Sequence, residues 1–373
     1  MNEKHIIDKM ILTAGPSITQ KEIDYVMDAV KNGWYENWNG YLKKFEQKFA
    51  EYVGTKYAIA TSSCTGAMHI ALAALRVGRG DEIIVPETTW GGTAAVVTYV
   101  GATPVFVDIE RDTWTMDPES LKKAITPKTK GILSVHLYGH PANMDEITRI
   151  AKEHGLFILE DAAPSIGSEY KGRKTGSLGD AAAFSFQGAK LLVTGEGGML
   201  VTSDENIYER ACFLADQGRD SHRQFYINEI SYKYKMSNIQ AALGLAQLER
   251  INELLEKKRR IYEWYTSSLG GKKGITLSAE KDWAKTNHWM SSILLEDTVQ
   301  IDREELRAKL KERNIDTRPI FPPISNFPMF TKGKNPVAEF VGQRGINLPS
   351  PMTLTKEQAD YVAENVLDLT GVS

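Results

Sequence analysis

The sequence predicts an α/β fold: a large domain built on a mainly parallel sheet, followed by a smaller α+β domain. Up to about residue 200, short and continuously apolar segments alternate with helical segments. Strands of this kind are buried on both faces, as in parallel sheets that helices cover. Turn sequences such as Gly78-Arg79-Gly80-Asp81 separate helix from strand. Beyond Gly270-Gly271 the pattern becomes mixed, which indicates a second unit.

The large domain begins with an amphipathic helix, predicted over residues 20–32. The strand candidates that follow are each short and apolar, and helical segments separate most of them. In chain order they cover residues 57–60, 82–85, 103–107, 131–135, 156–160, 181–186 and 198–201.

A long helical pattern without a strong breaker runs over residues 237–267 and is predicted to link the two domains. The smaller domain is predicted to contain a strand at 291–295, a helix at 302–314, a Pro-rich loop at 318–323 and a closing helix at 356–369. We therefore predict a large domain over 1–250, with its N-terminal helix, and a smaller domain over 251–373 that includes the linking helix.

Composition limits the partners of the chain. Its 373 residues carry 45 basic and 48 acidic side chains, a net charge of -3, so we expect neither nucleic acid nor a membrane as a partner. The basic run at 257–260 lies on the linking helix and is predicted to be a solvated face. Two cysteines are too few for a disulfide framework, and the N-terminus mixes charges of both signs, so a cytoplasmic location is expected.

Two residues at predicted strand ends carry the main chemical argument. Asp161 closes the strand Leu156-Phe157-Ile158-Leu159-Glu160, and Lys190 follows the strand at 181–186 in a Gly-bounded turn. Ligands of open α/β sheets collect at such ends. A lysine amine can form an imine with pyridoxal phosphate (PLP), and a carboxylate can keep the pyridine nitrogen protonated. Lys190 is therefore the candidate catalytic residue, and Asp161 is a candidate cofactor ligand.

A phosphate group needs backbone N–H donors and hydroxyls, which a helix N-terminus supplies. The segment Ser63-Cys64-Thr65-Gly66 opens an apolar helix and has this form, although a plain N-cap is an alternative interpretation. Ser185 is a candidate for a further hydroxyl. Trp90 follows another strand, where its indole could stack on the pyridine ring or simply be buried in the core.

Taken together, these segments resemble the sugar aminotransferases of the DegT/DnrJ/EryC1/StrS family, which are fold-type I PLP enzymes of the aspartate-aminotransferase type. The resemblance covers nearly the whole chain, and it is closest to the nucleotide-sugar 4-aminotransferases. The motifs that carry it are Ser63-x-Thr65, Gly80-Asp81-Glu82-Ile83-Ile84-Val85-Pro86, Val135-His136-Leu137-Tyr138-Gly139, Glu160-Asp161-Ala162-Ala163, Gly176-Ser177-Leu178-Gly179-Asp180, Thr194-Gly195-Glu196-Gly197-Gly198 and Met236-Ser237-Asn238-Ile239-Gln240.

The resemblance implies the reaction and the roles of the residues. Amino transfer is expected from L-glutamate to the keto group of a nucleotide-linked deoxysugar, such as GDP-4-keto-6-deoxymannose, by a ping-pong mechanism. Lys190 would form the imine with PLP, and Asp161 would pair with the pyridinium. The phosphate would be held by the turn at Cys64 and Thr65 together with Ser185, and Trp90 would cover the ring. A homodimer with shared active sites is also implied.

The chain departs from the family pattern at several positions. Cys64 replaces the usual Gly between the phosphate-binding Ser and Thr, and Pro164 stands where a Gln or Glu is common. Lys233 aligns with the Asn that reaches the partner subunit's phosphate, and we expect it to bind that phosphate instead. The segment Phe321-Pro322-Pro323-Ile324-Ser325 lacks both histidines of the family's substrate loop. Relatives that catalyse dehydration carry His at the lysine position, so Lys190 argues against that reaction.

Arg219, Arg223 and Arg318 are candidate ligands for the glutamate carboxylate or a substrate diphosphate, with ordinary surface arginines as the alternative. His136 and His140 lack a carboxylate at ligand spacing, so we predict structural histidines and no metal.

Two other functions stay open on the sequence. The acceptor could be a cyclitol ketone or a small phosphorylated ketone, because the substrate loop departs at Pro322 and Ser325. A regulatory protein that binds PLP without turnover is the other alternative, and the intact pair of Lys190 and Asp161 argues against it.

Overall fold

The computed structural model describes residues 8–372. The first seven residues of the charged N-terminus, and the outer limits of the two predicted domains, lie outside this range. Its helices are, in chain order, α1 (Gln20–Asn32), α2 (Gly40–Val53), α3 (Cys64–Ala74), α4 (Gly91–Tyr99), α5 (Pro118–Ala124), α6 (Met144–His154), α7 (Glu205–Ala215), α8 (Asn238–Leu248), α9 (Ile251–Leu269), α10 (Arg303–Glu312), α11 (Pro336–Arg344) and α12 (Lys356–Thr370).

The strands form three sheets. They are β1 (Tyr57–Thr61), β2 (Glu82–Pro86), β3 (Thr103–Val107), β4 (Thr129–Val135), β5 (Phe157–Asp161), β6 (Glu169–Tyr170), β7 (Arg173–Lys174), β8 (Ala181–Ser185), β9 (Gly198–Thr202), β10 (Ile275–Leu277), β11 (Ala284–Lys285), β12 (Ser291–Leu295), β13 (Arg318–Pro319) and β14 (Gly345–Leu348).

The large sheet has seven strands in the order β1-β9-β8-β5-β4-β2-β3. Strands β3, β2, β4, β5 and β8 are parallel, whereas β9 is antiparallel to both of its neighbours. The predicted α/β fold with a mainly parallel sheet is confirmed. Two successive antiparallel pairings give β1 the same direction as β8, so the carboxyl end of β1 lies at the same edge as those of β2, β4, β5 and β8.

The C-terminal part forms an antiparallel sheet of four strands in the order β10-β12-β14-β13. Helices α9, α10 and α12 pack on it through apolar side chains such as Ile261, Leu306 and Val362, all of which are buried. Short strand β11 joins this part to the large one by pairing Ala284 with Tyr170 of β6.

The N-terminal segment also contacts the C-terminal part. Ile11 bridges to Ile315, and the Thr13 hydroxyl donates to Asp316 at 2.5 Å. A boundary between residues 250 and 251 remains a prediction.

The predicted linking helix is wrong in one respect, because it is two helices that meet at Glu249 and Arg250. No Gly or Pro marks the break. Arg250 leaves helical geometry at φ -106 and ψ 9. Its guanidinium donates to Glu22 of α1 at 2.5 Å and to the Ser17 hydroxyl at 3.0 Å. Tertiary contacts with a distant segment therefore override a continuous helical pattern. No helix within residues 8–372 has the length and apolar character required to cross a membrane.

Candidate active site

The candidate site lies at the edge of the large sheet where its parallel strands end. Asp161 is the last residue of β5 and pairs with Ala183 of the neighbouring strand β8. Ser185 ends β8, and Lys190 follows it after a short turn. A hydrogen bond of 2.8 Å from the Lys190 amide to the Gln187 carbonyl closes this turn. Because neighbouring parallel strands end together, the fold brings the lysine and the aspartate to one place.

Asp161 is a buried carboxylate with room for a further partner. One oxygen accepts the Thr93 hydroxyl at 2.7 Å, and the other accepts the Ala163 amide at 3.1 Å. Burial raises the pKa of Asp161, and these two hydrogen bonds and the positive charge of Lys190 oppose that rise. Each oxygen has a second acceptor position, so the carboxylate can still bind a protonated ring nitrogen.

Lys190 is half-buried, and burial lowers the pKa of its amine to about 8, against the opposing influence of the Asp161 and Cys64 charges. Its Nζ lies 3.6 Å from the centre of the Trp289 ring. An amine with a pKa of about 8 is neutral in roughly a tenth of molecules at pH 7, compared with fewer than about one in a thousand for an ordinary lysine. It is therefore a much better nucleophile than an exposed lysine.

The phosphate candidates lie at the start of α3. Ser63 caps this helix by accepting the Gly66 amide at 3.0 Å, so the plain N-cap interpretation is confirmed, and binding of a phosphate stays a prediction. Helix α3 begins at the same sheet edge because β1 ends there. A Cβ on Gly198 would lie 2.5 Å from the Cys64 amide nitrogen, so only glycine allows β9 to pass so close to this turn.

Helix α4 starts beside α3. A Cβ on Gly92 would lie 3.1 Å from the Thr65 hydroxyl oxygen, which places the first turns of the two helices in contact. Trp90, which precedes α4, is 67% exposed, so the alternative of a buried core tryptophan is wrong. Its indole centre lies 5.9 Å from that of Phe321. An exposed aromatic side chain at this edge is available to cover a flat ring.

The other predicted ligands lie on exposed segments. Lys233 forms an ion pair with Asp216 of the same chain at 3.2 Å. Arg219 and Arg223 are exposed on the loop after α7, where Arg223 pairs with Asp220 at 3.0 Å. Arg318 is exposed on β13 and lies 3.4 Å from Asp316. The structure shows no contact of these four side chains with Lys190 or Asp161, so their roles stay predictions.

Glu160, which precedes Asp161 in β5, forms all of its hydrogen bonds within the protein. Its carboxylate accepts the amides of Gly176, Leu178 and Gly179, each at 2.7 Å, and the His136 ring at 2.8 Å. Burial raises the pKa of Glu160, but these hydrogen bonds outweigh that effect and lower it. The two neighbouring carboxylates of β5 therefore differ in their hydrogen bonds: Glu160 is saturated by protein donors, whereas Asp161 keeps free acceptor positions.

The two histidines near the site are occupied by hydrogen bonds. His136 accepts the Ala142 amide at 3.1 Å through the nitrogen that does not face Glu160, and His140 contacts the Pro141 carbonyl oxygen at 2.7 Å. Within the described residues, no group of three His, Cys, Asp or Glu side chains is arranged to hold a metal ion.

Two departures from the family pattern are buried structural positions. The Pro164 carbonyl accepts the Asn287 side chain at 3.0 Å. Ser325 is buried, and its amide donates to Glu87 at 2.6 Å. Glu87 follows β2, so its carboxylate ties the Pro-rich loop of the C-terminal part to the site edge.

Sequence reasoning missed Thr93 and Trp289. Thr93 lies in the first turn of α4, three residues after Trp90, and a hydroxyl at that place is a detectable pattern. Trp289 had no local indication, because about a hundred residues separate it from the lysine that it contacts.

These residues fit PLP. The site offers an amine of lowered pKa, a buried carboxylate with free acceptor positions, a helix N-terminus rich in hydroxyls and an exposed aromatic ring.

Comparison with known proteins agrees with this chemistry. The profile of the DegT/DnrJ/EryC1/StrS aminotransferase family matches residues 16–367. GDP-perosamine synthase of Escherichia coli O157:H7 is 42% identical over 96% of this chain and 98% of its own length. The enzyme of the same name from Caulobacter vibrioides is 39% identical over 94% and 96%.

A solved structure from Streptococcus pneumoniae, provisionally described as a sugar aminotransferase and captured in its PLP form, superposes with a TM-score of 0.91. It is 29% identical and covers 97% of this chain and 99% of its own. The chain therefore belongs to the DegT/DnrJ/EryC1/StrS aminotransferase family, and it is an enzyme that uses PLP.

Proposed function

We propose that this enzyme transfers an amino group from L-glutamate to the keto carbon of a nucleotide-linked 4-keto-6-deoxysugar, with GDP-4-keto-6-deoxymannose as the first candidate. The observation that carries the proposal is the meeting of the Lys190 amine, the Asp161 carboxylate and the α3 N-terminus at one sheet edge. The choice of sugar is supported by the names of the two GDP-perosamine synthases that the chain resembles.

In the proposed mechanism the amides at the start of α3 would hold the phosphate, together with the hydroxyls of Thr65 and Ser185. Asp161, kept in place by Thr93, would hold the proton of the ring nitrogen. When bound, PLP supplies an aldehyde for amines and a ring that withdraws electrons.

Lys190 has two tasks in this mechanism. Its neutral amine would hold the cofactor through the aldehyde, and when free it would accept and return the proton of the substrate Cα. An amine with a pKa of about 8 suits both tasks, because both of its protonation states are accessible near neutral pH.

The proposed function is tested with the PLP-loaded protein. We expect L-glutamate to change the visible absorbance of the bound cofactor, and subsequent addition of GDP-4-keto-6-deoxymannose to restore it with formation of an aminosugar. A cyclitol ketone and a small phosphorylated ketone serve as competing acceptors in the same assay. The proposal fails if no amino donor changes the spectrum. It is corrected to another acceptor if only one of the competing ketones restores the spectrum.

We also propose a homodimer with shared active sites. Support comes from the loop after α7, which exposes Phe225 (98%) and Ile230 (99%) near Arg219 and Arg223. Fully exposed large apolar side chains of this kind favour a protein interface. In a dimer this loop can present Lys233 or the two arginines to the neighbouring site.

The dimer is tested by measuring the molar mass in solution. We expect twice the chain mass for the wild type and a concentration-dependent shift to monomer for F225S/I230S. The matched control is Met329→Ser, which removes an exposed apolar side chain on another loop. A wild-type monomer at micromolar concentration would contradict the proposal.

We also propose a cytoplasmic location for the enzyme, with support from its two free cysteines.

A further inference from the structure

Trp289 is held on three sides just before β12. Its amide donates to the Asn287 side chain at 2.8 Å, its carbonyl accepts Nζ of Lys258 at 2.8 Å, and its indole N–H donates to the Ala189 carbonyl at 2.8 Å. The side chain is only 5% exposed. A tryptophan fixed through backbone and side chain alike presents its ring face in one orientation.

The hydrogen bond to the Trp289 carbonyl comes from a buried lysine. Lys258 of α9 is buried, so the predicted solvated face of the basic run 257–260 is wrong at this position. Its Nζ donates to the carbonyls of Trp289 and Ser350. Burial lowers the pKa of Lys258 to about 7. A buried amine is costly to maintain, and this one joins the C-terminal part of the chain to the segment that contacts the site.

The face of the Trp289 ring lies against the amine of Lys190, the candidate catalytic residue. Nζ of Lys190 lies 3.6 Å from the ring centre, well within the range of cation–π attraction, and tryptophan is the strongest aromatic partner for a cation. Among residues 8–372 the structure gives the Lys190 ammonium no salt bridge. The indole N–H also binds the carbonyl of Ala189, the residue before the lysine, so one side chain fixes both the backbone and the amine of this turn.

We infer that Trp289 is a positioning residue for Lys190: its face holds the protonated amine and its N–H fixes the turn that carries it. The ring stabilises the ammonium form in a place where burial alone would favour the neutral amine. The titratable groups that face Lys190 from the other elements are Asp161 of β5 and Cys64 of α3, and both favour the ammonium form when charged. The inference rests on the proposed role of Lys190, but a titration of its amine tests the inference without turnover.

The test compares Trp289→Leu, which removes the ring, with Trp289→Phe, which keeps a weaker aromatic face but loses the N–H. Lysines of the full-length chain, freed of PLP, are reductively methylated with ¹³C-formaldehyde and a borohydride reductant, and the Lys190 signal is assigned by its loss in Lys190→Ala. We expect W289L to lower the Lys190 pKa by about one unit, which corresponds to about 1.4 kcal/mol. W289F is expected to lower it by less than half as much.

Thermal melts of both variants measure how much each substitution destabilises the fold. That destabilisation does not distinguish loss of the ring face from loss of the N–H. Equal pKa values in wild type, W289F and W289L overturn the inference, and so does an equal decrease in both variants.

A second measurement avoids any cavity. Incorporation of 5-fluoro- or 5,7-difluorotryptophan weakens the negative ring face at nearly constant shape, and we expect a stepwise decrease of the Lys190 pKa. The matched control is the W289F chain with the same fluorinated residues, whose Lys190 should not respond. A response of equal size in that chain, or none in the wild type, refutes the role of Trp289.

Discussion

Replacing Lys190 with Ala is expected to lower the rate of amino transfer by about 10⁴-fold, because the chain loses both the amine that binds the PLP aldehyde and the group that moves the substrate proton. Lys190→Arg is expected to lose as much, since a guanidinium keeps the positive charge but is never a neutral amine at ordinary pH. Single-turnover formation of glutamate-derived 2-oxoglutarate measures this step directly.

The matched control for Lys190→Ala is Lys171→Ala, which removes an exposed lysine that pairs with Asp145 on the surface. Exposed ion pairs contribute little, so activity and melting temperature should stay close to those of the wild type. Substantial turnover by Lys190→Ala, at a melting temperature equal to that of the wild type, would remove Lys190 from its assigned role. Partial recovery by added methylamine would support that role.

The arrangement of Asp161 and Lys190 could be predicted because it depends on short-range rules. Each follows an apolar strand, parallel strands end at one edge, and ligands bind there. The N-cap at Ser63 follows from the same local logic, because a small hydroxyl residue precedes an apolar helix. These features can be predicted from residue type and position along the chain alone, because they do not depend on the conformation of any loop.

The surroundings of the lysine could not be predicted in the same way. Trp289 reaches Lys190 only because β12 and α9 place its segment against the large sheet edge, and Glu87 reaches Ser325 across more than two hundred residues. The break at Arg250 has a similar cause, since Glu22 lies on the first helix. Contacts between distant segments depend on how complete elements pack, and a local pattern does not contain that information.

The second large effect separates the two acidic residues that end β5. Asp161→Asn is expected to lower the rate by about 10²- to 10³-fold, since a charge pair at about 4 Å contributes about 4 kcal/mol at an effective dielectric constant of about 20. Glu160→Gln is expected to act on stability, because an amide cannot accept the three amides and the His136 ring that the carboxylate binds. Breaking such a buried set costs about 3–5 kcal/mol.

The pH dependence of unfolding gives Asp161→Asn an independent control. Burial raises the pKa of Asp161 in the folded protein above its unfolded value of about 3.9. Its contribution to stability is therefore fully present below that unfolded value and is lost as the pH rises through the folded pKa. In protein freed of PLP, where no ring nitrogen pairs with the carboxylate, Asp161→Asn should match the wild type in urea denaturation near pH 4 and exceed it at pH 7. A variant that is less stable than the wild type at pH 7 would show that Asp161 is held for the fold, as Glu160 is, and not for the cofactor.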